Sequence, residues 1–184
     1  MLSKLVKYLK SIIRICILKI RYRKAIQFKL TNLKSLYIGK SVVIEIAKGS
    51  KLVFGEGVYI DDYCRIKCKG GEIYIGNDIF MNSGVKIVAM SKIIIGDLCI
   101  FGPGVSIYDH DHSFNNSELP IKKQGFSISQ VKVGKDVWFG SNAVITKGVQ
   151  IADRCIIGAN SVVTKNIDKS GIYGGIPSKF IKNI

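Results

Sequence analysis

Both histidines of this 184-residue chain fall in the stretch Ile107-Tyr108-Asp109-His110-Asp111-His112-Ser113-Phe114, each beside an aspartate. Two imidazoles and two carboxylates side by side are raw material for a metal centre or for proton transfer. Catalytic zinc takes three protein ligands and leaves one position for water. With two histidines in all, a third ligand would have to come from Asp109, Asp111 or a cysteine. Acid/base work asks for less. A neutral imidazole, whose unperturbed pKa is about 6.5, can accept the proton of an attacking alcohol while a neighbouring carboxylate or carbonyl fixes its tautomer. The plain alternative is a pair of surface histidines in a polar loop.

The other metal candidate is weaker. Cys64 and Cys68 are separated by three residues, which is not the two-residue spacing of a zinc knuckle, and no second pair follows. No metal is expected. The five cysteines form an odd set without an export signal, which points to a reducing, cytoplasmic compartment.

What positions the histidines is a repeat. A large apolar residue returns every six positions at Ile75, Met81 and Ile87, then after a two-residue slip at Ile95, Phe101 and Ile107. The count resumes at Val133, Phe139, Ile145, Ile151, Ile157 and Val163, and weaker copies run back through Ile60, Phe54 and Ile38. Four residues after each stands a second inward candidate, among them Ile79, Val85, Cys99, Val105, Val137, Ala143, Val149, Cys155 and Ser161. Six residues advance a helix by about 1.7 turns and would scatter these positions around it. Short strands joined by tight turns, three to a coil, stack them into one interior. The class predicted is therefore an all-β solenoid over residues 35–168. Between Ile107 and Val133 the chain has room for an extruded loop at about 108–131, with the histidines at its start. Long loops on rigid scaffolds are where binding and catalytic groups are displayed.

The flanks differ from the repeat. Residues 1–34 begin with apolar Leu2, Leu5, Leu9, Ile12, Ile13, Cys16 and Ile20 at helical spacing, interleaved with Lys4, Lys7, Lys10 and Arg14 and with no acid in the first thirty residues. This is an amphipathic basic helix, too charged to span a bilayer. It either packs on its own domain or a neighbouring subunit, or lies on anionic lipid at the inner face of the membrane. Residues 169–184 are expected to form a short helical tail. The formal charge of +15 favours an anionic partner, but no recognition motif supports nucleic acid.

The repeat resembles the hexapeptide-repeat family, whose members wind as left-handed parallel β-helices. The handedness is implied by the resemblance, since the general crossover rule predicts the opposite. Three segments narrow it further. Val137-Trp138-Phe139-Gly140-Ser141 matches V-W-I-G-[SGA], with Phe for Ile. Ile157-Gly158-Ala159-Asn160-Ser161-Val162-Val163-Thr164-Lys165 matches I-G-A-G-S-V-V-T-K, with Asn160 for Gly. Gly174-Gly175-Ile176-Pro177-Ser178-Lys179 matches A-G-x-P-A-[KR]. In that order they resemble the acetyltransferase branch, close to maltose, galactoside and capsule O-acetyltransferases.

The resemblance implies a homotrimer holding acetyl-CoA between adjacent β-helices. Counted from Pro103-Gly104-Val105, the branch's catalytic histidine falls on His112, with His110 and Asp109 as neighbours of open role. Ser141 matches a position facing the thioester, and Ala159 a backbone contact to the pantetheine arm. Thr164, Lys165, Lys179 and Lys182 match positions around the adenosine phosphates, although the branch often has Arg where Lys179 and Lys182 stand. Asn82 matches an acceptor-site asparagine or a simple turn residue, and Trp138 lines the cofactor groove or packs between coils. The activity implied is O-acetylation of a sugar hydroxyl on a surface-polysaccharide precursor. The alternatives are an N-acetyltransferase on an amino sugar, a xenobiotic acetyltransferase, and a non-enzymatic, membrane-associated trimeric scaffold.

Overall fold

A computed structural model of the protein describes residues 2–28 and 35–184. The boundary expected at residue 34 lies outside the described residues. Three parallel sheets run the length of the molecule, and each turn of chain contributes one strand to each in the order first, second, third. One such coil is Lys51–Phe54, Val58–Ile60 and Arg65–Cys68; the next is Glu72–Ile75, Phe80–Met81 and Lys86–Ala89. Strands this short stay flat only because each is paired on both sides and its inward residues are stacked on those of its neighbours.

Every inward position predicted from the six-residue period is buried, from Ile38 through Phe101 and Phe139 to Val163, and so is every secondary position from Ile79 to Ser161. The rings of Phe101 and Phe139 stack at 4.8 Å in this interior. Four of the five cysteines are also inside, and burial pushes the thiols of Cys64 and Cys99 up to about 11 and that of Cys68 up to about 12. Cys16 alone is exposed.

The two-residue slip has a structural origin. Ile66 pairs with Ile87, 21 residues on, Ile87 with Ile107, 20 on, and Ile145 with Val163, 18 on. The wider coils have four-residue strands such as Lys86–Ala89 and Lys92–Ile95, joined by the pair Met90-Ser91 at the corner between the third and first sheets. Later coils use two-residue strands, Val144–Ile145 and Gln150–Ile151, and keep the plain count of six.

The ends of the solenoid expose strand edges that need partners. Helix α1 (Leu2–Tyr22) covers the first. Its Ser11 Oγ accepts from the Ile38 N–H at 2.8 Å, Arg14 donates to the Ile38 carbonyl at 2.9 Å, and the Tyr22 hydroxyl donates to the Ile44 carbonyl at 2.9 Å. Ile15, fully buried, completes this face, while Leu18 and Tyr22 pack at its edge. The expected apolar stripe is therefore not the packing face, since Leu5, Leu9, Ile13, Cys16 and Ile20 point outward. Helix α1 ends earlier than the segment 1–34 allowed, because Ile26–Phe28 already pairs with Lys51–Phe54 in the first sheet.

The far end corrects the tail. Residues 169–184 do not form a helix. Gly171–Gly174 continues the second sheet beside Cys155–Ile157, and Lys179–Lys182 returns antiparallel to it. The reason is local, for Gly174, Gly175 and Pro177 break a helix and make a turn, and the returning strand pairs with an edge that a helix would leave open.

Candidate active site

The histidines leave the solenoid at the corner between the third and first sheets. Strand Ser106–Tyr108 ends there, and the first sheet resumes at Val131–Val133. The insertion is partly ordered by its own hairpin, in which His110–His112 pairs antiparallel with Phe126–Ile128.

Asp109 anchors it. Its carboxylate, 0% exposed, accepts from the Met90 N–H at 2.8 Å and the Ser91 N–H at 2.7 Å. Those are the residues of the slip, so the extra length of that coil provides the two amides that hold the root of the loop. The same carboxylate lies 3.0 Å from His110 Nδ1. A carboxylate can only accept, so Nδ1 carries the hydrogen and His110 is fixed in one orientation. From the next coil Lys147 reaches Asp111 at 3.6 Å and donates to Ser127 at 3.2 Å.

His112 is held differently. It is exposed, its ring lies tilted against Phe126 at 4.5 Å, and neither ring nitrogen has a hydrogen-bond partner among the described residues. The Phe126 ring also contacts His110 edge-on at 5.7 Å, so one aromatic positions both imidazoles. One histidine is thus committed to Asp109, and the other presents free nitrogens to solvent.

Asn82, Ser141 and Ala159 lie along another corner, between the second and third sheets. Corresponding turns there read Asn82-Ser83-Gly84, Gly102-Pro103-Gly104, Gly140-Ser141-Asn142 and Gly158-Ala159-Asn160. Gly84 and Gly104 have positive φ, and Asn142 and Asn160 take the same left-handed conformation at 58° and 57°, which explains why Asn160 can stand where the motif has Gly. The coils meet closely here. A Cβ on Gly140 would lie 2.5 Å from the Ala159 nitrogen.

The second residue of each turn has a distinct amide. The Ser83 N–H is taken by Asn82 Oδ1 at 2.8 Å, and Pro103 has none. Those of Ser141 and Ala159 have no acceptor among the described residues. Two adjacent coils therefore offer unpaired backbone donors on one open edge, separated by about 5 Å, the strand-to-strand spacing. Asn82 spends its side-chain oxygen on its own turn.

The remaining candidates are exposed but dispersed. Trp138 stands 51% exposed on the outer face of the second sheet, in register with Ile100 and Ile156. Thr164 and Lys165 follow Val162–Val163 into the corner used by the histidine loop, two coils beyond it. Lys179 and Lys182 are on the terminal strand of the second sheet, tied in by the Ser178 N–H donating to the Val162 carbonyl at 2.8 Å. Within one chain His112 and the Ser141–Ala159 edge occupy different corners, with the third sheet between them. The sequence patterns missed Met90, Ser91, Phe126 and Lys147. Their only signals were the slip itself and an aromatic and a lysine outside the repeat count. Among the described residues no cluster of His, Cys, Asp or Glu has the geometry of a metal site.

Residues 130–165 match the family model for bacterial transferase hexapeptides of six repeats. Over 141 residues the chain is 30% identical to WbbJ of Escherichia coli K12, provisionally named a lipopolysaccharide biosynthesis O-acetyl transferase, covering 73% of this chain and 69% of that one. Over 116 residues it is 34% identical to the galactoside O-acetyltransferase of the same strain, covering 62% of this chain and 56% of the relative, so it spans little more than half that protein's length. In fold it resembles a variant of AntD, an N-acyltransferase from Bacillus cereus solved with dTDP-4-amino-4,6-dideoxyglucose and coenzyme A, with TM-score 0.74, 20% identity and coverage of 92% and 88%. By its repeat, its coil and these relatives, the chain belongs to the bacterial hexapeptide-repeat transferases, left-handed parallel β-helices whose matched members are acyltransferases.

Proposed function

We propose that the protein is an acetyl-CoA-dependent O-acetyltransferase acting on a sugar hydroxyl of a surface-polysaccharide precursor, with His112 as general base and direct transfer. The observation that carries this reading is the pair of unpaired amides at Ser141 and Ala159, on an edge where an extended thioester arm finds backbone donors. His112 takes the proton of the acceptor hydroxyl as its oxygen attacks the thioester carbonyl. Charge collects on the carbonyl oxygen and is met by the Ser141 N–H. As the carbonyl re-forms, the carbon–sulfur bond breaks and the proton on His112 passes to the departing thiolate. Lys165, Lys179 and Lys182, with Thr164, supply charge and a hydroxyl for the cofactor's phosphates. WbbJ and the galactoside enzyme, by their names, favour a sugar oxygen as acceptor.

The site is completed by a second copy in a homotrimer. A thioester along the Ser141–Ala159 edge of one chain is out of reach of that chain's own His112, and a neighbour's histidine corner fills the place. The outer face of the second sheet gives such a neighbour something to bury, with Tyr59, Phe80, Ile100, Trp138 and Ile156 in one register-matched ladder beyond Tyr37, which Tyr8 of α1 already covers. We place the trimer in the cytoplasm, at the inner face of the membrane through residues 1–30.

Ser141→Pro isolates the carrying observation. Pro103 occupies the equivalent turn one coil earlier, so proline fits the backbone, and it removes the N–H together with the hydroxyl. Ser141→Ala, which loses the hydroxyl alone and should stay near full activity, separates the two. The melting temperature of Ser141→Pro should be unchanged, while free-thiol release from acetyl-CoA in the presence of acceptor falls about 100–1,000-fold, the range seen for single oxyanion donors. Full activity in a folded Ser141→Pro protein would remove this amide from the mechanism.

A further inference from the structure

Helix α1 has two faces with different occupants. Ser11, Arg14, Ile15, Leu18 and Tyr22 cap the first coil. At 3.6 residues per turn, Leu5, Leu9, Ile13, Ile17 and Ile20 lie roughly opposite that face. They are 54–76% exposed, far more than isolated surface apolar residues require. Lys10 and Arg21 border the stripe on one side and Lys19 on the other, exposed and without an ion-pair partner among the described residues. No aspartate or glutamate occurs before Glu45. Another copy of α1 seated on this stripe would bring two acid-free basic flanks together, a repulsive arrangement, whereas an anionic lipid surface satisfies apolar stripe and cations at once.

We propose that α1, already docked on the solenoid, is an in-plane anchor whose outer stripe enters an anionic bilayer while its inner face holds the β-helix upright. The inference deepens the membrane placement given above, and it fixes the reach of the reaction. Because α1 lies across the end of the first coil, the solenoid axis stands away from the lipid. Strand Ser106–Tyr108 is the fourth in its sheet, three rises of about 4.8 Å from the first. Adding about 10 Å for the helix puts the histidine corner roughly 25 Å from the bilayer. An acceptor used in this position is a glycan carried on a membrane lipid and long enough to span that gap.

The test uses the full chain and vesicles of phosphatidylglycerol with phosphatidylcholine, against phosphatidylcholine alone. Wild-type protein should sediment with the anionic vesicles and not with the zwitterionic ones, and a polarity-sensitive fluorophore on Cys16, the one exposed thiol, should shift to the blue. Leu9→Glu and Ile13→Glu should weaken that binding at least tenfold while leaving the circular dichroism, the melting temperature and thiol release with a soluble acceptor unchanged. Equal binding to both vesicle types, unchanged binding in the two variants, or no vesicle binding by a wild-type protein whose self-association the variants abolish would each overturn the proposal. Thiol release is read separately, so a protein that binds vesicles through this stripe but transfers no acetyl group contradicts the enzymatic reading and leaves the anchor standing.

Discussion

His112→Ala is expected to lower acetyl transfer by about 10²–10⁴-fold, the usual contribution of a positioned general base, with little change in the affinity for acetyl-CoA. The expectation rests on the contrast between the two imidazoles. His110 has Nδ1 engaged by a buried carboxylate, whereas His112 is exposed with both nitrogens free and its ring located by Phe126. His110→Ala should cost less than tenfold, because the hairpin keeps its backbone pairing and Asp109 keeps both amides. Steady-state rates for the two variants, with isothermal titration of acetyl-CoA to show that the cofactor site is intact, decide the assignment. A nearly active His112→Ala protein beside an inactive His110→Ala protein would reverse it.

The second large effect concerns the root of the loop. Asp109→Ala should destabilise the protein by about 2–6 kcal/mol, since two backbone donors in a packed corner lose their acceptor and each such loss costs about 1–3 kcal/mol. For a chain of this size that lowers the melting temperature by roughly 4–24 °C. Activity at 25 °C should fall further than the unfolded fraction explains, because the strand carrying His112 is fixed to the solenoid next to this carboxylate. Asp109→Asn keeps one acceptor oxygen and should lie between the two. Thermal melts and rates measured on the same preparations test both halves, and an Asp109→Ala protein that melts with the wild type would show that Met90 and Ser91 do not depend on it.

These two residues also mark how far the sequence could be read. The period of six exposes the interior directly, because a coil built from three flat faces returns the same side chain to the same wall and buried walls admit few polar residues. For the same reason Ile75, Phe101 and Val163 were legible one by one. Asp109 was not. Its role depends on two amides 19 and 18 residues earlier, which only the stacking of coils brings beneath it. The free donors of Ser141 and Ala159 were legible only as motif positions, since whether an amide is taken depends on its neighbours in the turn, as Asn82 demonstrates for Ser83.

Helix α1 was legible as a basic amphipathic helix, but the face it turns inward was not. It is apolar on two sides, so helical periodicity identified one stripe, and nothing in the spacing said that Ile15, Leu18 and Tyr22 would be the side turned inward. The C-terminal tail was misread because its residues follow no period of their own. The open edge of Cys155–Ile157 determines their conformation, and Gly174 to Pro177 supply the turn that lets the chain pair with it.

The central claim, transfer of an acetyl group to a sugar oxygen, is tested most directly on the product. Purified protein, acetyl-CoA and lipid-linked or nucleotide-activated glycans should yield an acceptor heavier by one acetyl group in mass spectrometry, together with free thiol. The account predicts that mild alkali removes that group, as it does an ester, and that His112→Ala forms almost none of it. An acetyl group that survives alkali, as an amide on a sugar nitrogen does, would contradict it.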